Sequence, residues 1–358
     1  MAGPPQVVAR ARRAVRGALL QRLSLLADAT DAAGLQGRVL VGLSGGPDSL
    51  ALCATTWWVT QRMGLRTEAA IVDHGLQEGS AQVAEQARVQ AERLGVERVH
   101  VLPVQVDAEL PGGIENAARV ARSAALEELA AERGAVALLL GHTLDDQAEQ
   151  VLMGLSRGSG PRALSGIPPV RGQVLRPFLG VGRDESTALR RADTEEICAL
   201  HDLDPWQDPM NQDTDLLRGR VRHRVMPLLC EELGPQIVEN LARTAALIGP
   251  DVEMLDEEAT QALRALVRTD DDPGTLLALD VHALAAAASP IRTRILRDAS
   301  RQAEGLGGAV SDKSLLRRHV LEVDALVVSW HGQAAVALPG RIEVARRDGL
   351  LIWRRSAS

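Results

Sequence analysis

The amino-acid sequence predicts an α/β fold: a doubly wound parallel sheet, followed by a helical region and a small C-terminal β-meander. Three observations predict it. Short aliphatic and β-branched runs alternate with longer helical segments through residues 39–155, the pattern of parallel strands joined by crossover helices. The first run, residues 39–43, breaks into Ser44, Gly45, Gly46, Pro47, Asp48 and Ser49 before a Leu-, Ala- and Cys-rich segment at 50–59, so a tight loop joins strand to helix. Near the C-terminus, short apolar runs are separated by the turn pairs Pro339, Gly340 and Asp348, Gly349.

The elements follow in order. A second strand at 67–73 ends in Asp73, His74 and Gly75, and a helix is expected at 81–94. A third strand spans 98–106, a long helix 113–133 closes on Gly134, and a fourth strand occupies 135–140. Gly141, His142 and Thr143 then lead into a helix from 144 to about 155. Ligands of such sheets sit beyond the carboxyl ends of the strands. The Ser44 loop, Asp73 and the His142 segment all lie there, so three loops should converge on one crevice. Residues 156–177 are rich in Gly, Pro, Arg and Ser and read as an ordered functional loop or a lid. Helices are expected at 184–200, 214–229 and 237–248, with a boundary at Gly249 and Pro250, then at 251–267 and 291–302. The terminal strands are placed at 326–330, 334–338, 342–346 and 350–353. Domain boundaries follow: residues 1–30 as an N-terminal helix packed on the α/β domain, 31–230 as that domain, and 231–358 as a helical and C-terminal region.

Composition limits the function. The chain has 358 residues, 46% of them hydrophobic, enough for more than one core. A net charge of −7 argues against a uniformly basic nucleic-acid binder but leaves room for a local basic patch. Tyrosine is absent and Phe178 is the single phenylalanine, so aromatic platforms for bases are scarce. Cys53, Cys198 and Cys230 are far apart with no C-x-x-C spacing, which points to a reduced, cytoplasmic protein without a zinc or iron–sulfur site. Arg10, Arg12, Arg13 and Arg16 near the N-terminus are read as the polar face of an amphipathic helix rather than a targeting peptide. No run reaches the ~20 apolar residues of a membrane span.

Four stretches carry chemistry. In the Ser44 loop, glycines without Cβ let backbone N–H groups turn toward an anion, and the following helix presents its positive end to the same spot. Ser44 and Ser49 add hydroxyls and Asp48 a metal-binding carboxylate. The loop lacks the lysine of a Walker motif and is not G-x-G-x-x-G. A turn with an N-cap is the plain alternative, yet its five fixed residues would arise by chance in about one such chain in a few thousand. In the second stretch Asp145, Asp146 and Glu149 place carboxylates on the first turns of one helix, suited to a cation, although Thr143 and Asp146 also fit a simple capping box. The third holds Arg119 and Arg122, spaced to grip a phosphate, with Glu115 and Arg119 spaced as an ordinary surface ion pair. The fourth, Arg218, Arg220, Arg222 and Arg224, concentrates charge in seven residues and suits RNA phosphates, or is a solvated face.

Together these stretches resemble the PP-loop ATP pyrophosphatases and, within them, the tRNA(Ile)-lysidine synthetases. The likeness runs through Ser44 to Ser49, Val72 to His74, Gly113 to Arg122, Gly141 to Gly160 and Arg218 to His223, roughly the first 230 residues. The last strands are similar to the short C-terminal part of actinobacterial members, and the resemblance implies that 31–230 is the catalytic domain and 231–358 a tRNA-binding region. The phosphate loop alone is shared with GMP synthetases, asparagine synthetases and tRNA-thiolating enzymes; the His142 helix and the arginine run narrow the match. The resemblance implies a Rossmann-like catalytic domain that uses ATP and Mg²⁺ to replace the 2-oxo group of the wobble cytidine, in the CAU anticodon of tRNA(Ile), by the ε-amine of free L-lysine. It passes through an adenylated cytidine and releases AMP and pyrophosphate.

By position in the family pattern, Ser44, Gly45, Gly46, Pro47 and Ser49 hold pyrophosphate, Asp48 holds Mg²⁺ or orients the loop, and Asp73 lies near the nucleotide. Asp146 and Glu149 bind lysine, His142 and Arg122 sit near the reacting phosphate or base, and Arg218, Arg220 and Arg222 meet the tRNA or lysine. Thr143, Ser123, Gly219 and Gln77 depart from the residues usual at their positions, which touches contacts to tRNA or nucleotide rather than the chemistry. A homodimer stays open. Two other readings stand beside this one: a PP-loop sulfurtransferase or amidating synthetase, disfavoured by the missing C-x-x-C, and a non-enzymatic adenine-nucleotide sensor, which would leave Asp146, Glu149 and the arginines idle.

Overall fold

The computed structural model describes residues 3–27, 37–75, 79–106, 113–158, 160–180, 185–208, 213–270, 272–307 and 315–356. Gln77, Ser159 and the side chain of Glu115 lie outside the described residues. The chain divides into two compact units, Met1–Gly249 and Pro250–Ser358.

The first unit opens with helix α1 (Gln6–Ala27), followed by β1 (Arg38–Gly42), α2 (Pro47–Met63), β2 (Arg66–Asp73), α3 (Ser80–Arg93), β3 (Arg98–Pro103), α4 (Gly113–Glu132), β4 (Ala135–Leu139) and α5 (Leu144–Ser156). Then come α6 (Pro161–Leu164), the short strands β5 (Val170–Arg171) and β6 (Val174–Leu175), α7 (Arg191–Leu200), α8 (Leu217–Arg220), a π-helical turn at Val221–Val225, α9 (Met226–Leu233) and α10 (Ile237–Leu266), whose residues belong to the first unit up to Gly249 and to the second from Pro250. The sheet runs β3-β2-β1-β4-β6-β5, parallel except for the β5–β6 hairpin. The chain leaves β1 for β2 and β3 on one side, then crosses to β4 on the other. That reversal opens a crevice at the carboxyl end of β1, where the Ser44 loop begins. Val39, Val41 and Leu43 bury their side chains with Leu50, Leu52 and Phe178 in the core that fixes the loop's base.

Where the helix at 184–200 was expected, only Arg191–Leu200 is α-helical, after a 3₁₀ turn at Glu185–Thr187. Leu189 is fully buried and its carbonyl accepts the Leu144 N–H at 2.9 Å; the chain is committed there to α5 and cannot also close helical bonds. Gly249 and Pro250 do not break α10. Pro250 removes one intrahelical donor, yet the buried stripe Ala242, Ala245, Val252, Ala259 and Leu263 continues past it, and burial along the stripe outweighs the roughly 3 kcal/mol of an interior proline.

At the amino ends of the strands, buried Glu68 of β2 gathers two arginines and a histidine. Arg133 donates to both its oxygens at 3.0 and 3.1 Å, His100 lies at 2.8 Å and Arg38 at 3.2 Å. Burial alone would raise this carboxyl, but the bonds from Arg133 and His100 prevail and hold it at about 2. A depressed folded-state value contributes stability that is complete above the unfolded value near 4.5 and is lost as pH falls toward 2. Glu68→Gln is therefore expected to lower stability by about 2 kcal/mol at pH 7, discounted for the solvent reaching the arginines. Urea titrations should show the difference shrinking between pH 5 and pH 3; a gap independent of pH would refute the assignment.

The second unit contains β7 (Thr275–Asp280), α11 (Val281–Ala286), α12 (Ser289–Gly307), α13 (Arg317–Val328), β8 (Val336–Leu338), β9 (Ile342–Arg347) and β10 (Leu350–Arg355). Its antiparallel sheet has the order β7-β10-β9-β8. The strand expected at 326–330 is instead the last turn of α13 and its exit. Val323, Leu326 and Val327 are buried at helical spacing, and the fourth strand is Thr275–Asp280. Trp353 of β10 is fully buried and its indole N–H donates to Ser300 Oγ at 3.0 Å. Arg292 and Asp324 form a buried pair, 2.6 Å from Nε to Oδ1. No helix among the described residues is long and apolar enough to cross a membrane.

Candidate active site

The Ser44 loop is held open by its own hydroxyls. The Ser44 N–H donates to Ser49 Oγ at 3.1 Å, the two serine hydroxyls are 3.1 Å apart, and Ser49 Oγ donates to the Gly46 carbonyl at 3.0 Å. Gly45 has φ 83°, in the left-handed region where a side chain is strained. Gly46 caps α2 in extended conformation with Pro47 in the first turn, where a missing N–H costs nothing. The Gly45 carbonyl accepts the Trp206 N–H at 2.9 Å, and Gln90 clasps the main chain of Asp204 at 2.9 and 2.7 Å, so residues beyond α7 brace the loop.

Gly141, at the end of β4, packs directly on the Asp48 backbone. A Cβ there would stand 2.7 Å from the Asp48 carbonyl oxygen and 2.8 Å from its carbon, and backbone in a helix cannot yield. Gly141→Ala is expected to weaken nucleotide binding by about 10-fold and stability by about 1–3 kcal/mol. Calorimetric titration with an ATP analogue measures the first; unchanged affinity would mean that the loop tolerates the displacement.

Helix α5 carries the carboxylates. The capping box exists: Thr143 N–H and hydroxyl donate to Asp146 Oδ2 at 2.9 and 3.1 Å. The other oxygen of Asp146 faces Arg191 Nη2 at 3.2 Å and Arg222 Nη2 at 3.3 Å, so one residue serves both readings. Glu149 is 1% exposed; Arg222 grips it through Nε at 2.8 Å and Nη2 at 2.9 Å, Arg191 at 3.4 Å. Burial pushes the Asp146 carboxyl up, but Arg191, His142, the Thr143 N–H and Arg222 together hold it below its ordinary value. Asp145 is spent elsewhere, accepting two bonds from Arg190 at 3.0 Å and the Arg191 N–H at 2.8 Å.

Asp48 points toward this group. Thr194 Oγ1 lies 2.5 Å from its Oδ1 and Arg191 Nε 3.9 Å from its Oδ2. Burial, then the charge of Asp146, pushes the Asp48 carboxyl up to about 7 against the pull of Thr194, Arg191 and Arg222. Among the described residues no group of three His, Cys, Asp or Glu side chains could enclose a metal ion. Mg²⁺ commonly takes one or two carboxylates and completes its shell with phosphates and water, and Asp48, whose Oδ2 has Arg191 no nearer than 3.9 Å, is the carboxylate that fits that role.

The arginine run divides by helical geometry. Arg218 and Arg222, four residues apart, turn toward α5; Arg218 donates to Gln150 at 3.1 Å and lies 3.9 Å from Glu149. Arg220 and Arg224, on the other face, are exposed and hold the preceding loop through the Asp215 carbonyl and Thr214 Oγ1, each at 2.8 Å. Gly219 lies so close to that loop that a Cβ would fall 1.9 Å from the Asp213 carbonyl oxygen. His142 has a buried Nδ1 without a partner. Burial, with Arg176, Arg122 and Arg218, overrides Asp146 and draws the imidazole down to about 4, so it is neutral at pH 7. The fields on His142 place Arg122 and Arg218 near it; Arg119 turns instead to Asn116 at 2.8 Å. Asp73 accepts the Gly75 N–H at 3.0 Å, shaping the turn at the end of β2. Arg191 and Thr194, which no motif marks, are the residues that join Asp48 to the α5 acids.

The PP-loop domain family matches residues 21–229. A tRNA(Ile)-lysidine synthase from Leifsonia xyli subsp. xyli is 47% identical over 315 residues, spanning 88% of this chain and 89% of that protein. One from Salinispora tropica is 44% identical over 352 residues, 97% and 96% of the two chains, and one from Mycobacterium tuberculosis is 45% identical over 326 residues, 88% and 90%. Among solved structures, the U34-tRNA thiolase NcsA from Methanococcus maripaludis aligns with a TM-score of 0.52 at 17% identity, covering 68% of this chain and 80% of that one. The last likeness concerns the fold alone.

Proposed function

The chain belongs to the tRNA(Ile)-lysidine synthase family of PP-loop proteins, and from that membership we propose that it joins the ε-amine of free L-lysine to C2 of the wobble cytidine in the CAU anticodon of tRNA(Ile). ATP supplies the driving force, and AMP and pyrophosphate are released. The observation that carries this reading is the junction of a phosphate loop, through Asp48, with two arginine-bound carboxylates on α5.

The amide-like C2 oxygen of cytidine is a poor leaving group. In the first half-reaction it attacks the α-phosphorus of ATP, the bond to the β-phosphate breaks, and pyrophosphate leaves into the cradle of Ser44, Gly45, Gly46, Pro47 and Ser49. The N–H groups at the start of α2 meet that charge. Mg²⁺, held by Asp48 with Asp146 beside it, would neutralise phosphate charge when bound. Asp73, at the end of the neighbouring strand, borders the nucleotide. In the second half-reaction the lysine amine attacks C2, and AMP leaves with the former C2 oxygen.

The amine must be neutral when it attacks. Its ordinary pKa near 10.4 leaves about one molecule in a few thousand neutral at pH 7, and neighbouring carboxylates reduce that fraction. Glu149 therefore binds the ammonium and takes its proton, with Asp146 orienting it; proximity supplies much of the rate. His142, drawn down to about 4, is neutral and serves as a hydrogen-bonding partner for the base or phosphate, with Arg122. Arg218 and Arg222 balance the acids, while exposed Arg220 meets the RNA backbone.

The test incubates the protein with Mg-ATP, lysine and CAU-anticodon tRNAs and weighs the anticodon fragment by mass spectrometry. A lysine adduct on the cytidine is expected. ATP consumption with no adduct would overturn the reading, and a gain of sulfur in a parallel reaction supplied with sulfide would assign the thiolating chemistry instead.

A further inference from the structure

Arg191 stands among three acids that the two half-reactions divide between them. Its guanidinium lies 3.9 Å from Asp48, 3.2 Å from Asp146 and 3.4 Å from Glu149. Arg222 is committed to the α5 acids: it binds each oxygen of Glu149 with one short bond and reaches Asp146 at 3.3 Å. Arg191 spreads one charge across all three carboxylates, which a planar, forked cation does and a point charge does not.

The main chain sets this placement. Arg190 makes two bonds to Asp145 and one to Glu239 at 2.7 Å, the Arg191 N–H donates to Asp145, and the Leu144 N–H donates to the Leu189 carbonyl. The start of α7 is thereby fastened to the start of α5. One turn further on, fully buried Thr194 reaches Asp48 Oδ1 at 2.5 Å and the Arg191 carbonyl at 2.7 Å. Among the described residues, the hydrogen bonds and ion pairs that link Asp48 of the phosphate loop to the α5 acids run through α7.

We propose that Arg191, with Thr194, is a positioning element that holds Asp48 of the phosphate loop in register with Asp146 and Glu149, so that both half-reactions depend on it. The inference rests on the lysidine-forming reading and deepens it. The geometry predicts a signature unlike that of Glu149, whose loss spares the first half-reaction: a lesion in Arg191 damages pyrophosphate release and lysine transfer together.

The experiment measures tRNA-dependent pyrophosphate release without lysine, and lysidine formation with it, for Arg191→Gln, Arg191→Lys and Thr194→Val in the full chain. Arg191→Gln should lower both rates by about 10- to 100-fold and raise the KM for lysine about 10-fold, and Arg191→Lys should recover part of each. Thr194→Val keeps shape and burial and removes only the hydroxyl. It should slow pyrophosphate release by about 10-fold and leave the lysine KM unchanged, which a general loss of folding would not do. Both rates within twofold of wild type in Arg191→Gln, or a loss confined to one half-reaction, would overturn the proposal. If Arg191→Gln does not fold, Thr194→Val decides alone: release within twofold of wild type sinks it. A wild-type chain that forms no lysine adduct defeats the functional reading itself, so the two failures are distinct.

Discussion

Glu149→Gln is expected to lower lysidine formation by about 100- to 1,000-fold while tRNA-dependent pyrophosphate release without lysine stays within about threefold of wild type. The size follows from the loss of a proton acceptor at an amine that is otherwise protonated. The selectivity follows from position: Glu149 faces Arg222, Arg191 and Arg218, and the phosphate loop contacts Arg191 through Asp48. Glutamine keeps the shape but turns an amide N–H₂ toward one arm of Arg222, leaving that half-buried cation with Asp146 as its charged partner at a cost of about 2–3 kcal/mol. Stability and chemistry separate in a double-mutant cycle. Glu149→Gln with Arg222→Gln should regain most of the stability and none of the lysine transfer, and Glu149→Asp should keep the charge with a weakened rate. Full turnover of Glu149→Gln at saturating lysine would remove Glu149 from the role of base.

What the sequence displays of this site is what local chemistry writes. A strand breaking into Ser44, Gly45, Gly46 and Pro47 announces a loop because glycine and proline act on their own backbone, and the α5 carboxylates are visible because helical spacing places them together. Arg191 and Thr194 are silent for the opposite reason. Thr194 meets Asp48 across 146 residues and Arg191 meets Asp146 across 45, in a helix whose charged composition reads as an ordinary surface. Asp145 shows the converse, since it shares the spacing of the acid cluster yet is consumed by Arg190. The arginine run was legible as charge but not as two faces, one toward α5 and one toward the loop before α8. In the second unit, the β-branched end of α13 mimics a strand, and the strand Thr275–Asp280 holds only Leu and Ala between its ends and runs straight into the alanine-rich α11, so it does not stand out.

Asp48→Asn is expected to lower tRNA-dependent pyrophosphate release by about 1,000-fold and, in the same molecule, to stabilise the fold at neutral pH. The second effect follows from linkage. Burial and the charge of Asp146 push the folded-state carboxyl from 3.8 up to about 7. Between those values the folded protein keeps a proton that the unfolded chain has released, so stability falls as pH rises through the window and levels off above it. A rise of this size corresponds to an upper limit of about 4 kcal/mol; with the side chain 21% exposed, about 2–3 kcal/mol is the working figure. Asparagine cannot ionise and still accepts the Thr194 hydroxyl. Its advantage over wild type should be near zero at pH 4 and reach about 2–3 kcal/mol by pH 8 in urea titrations without Mg²⁺ or nucleotide. Added Mg-ATP should narrow the gap, because only wild type has the carboxylate that a cation would relieve. An advantage that is constant with pH, or reversed, would mean that the carboxyl ionises freely in the fold. The expected outcome is a site kept at a loss of stability because its charge is needed when phosphate arrives.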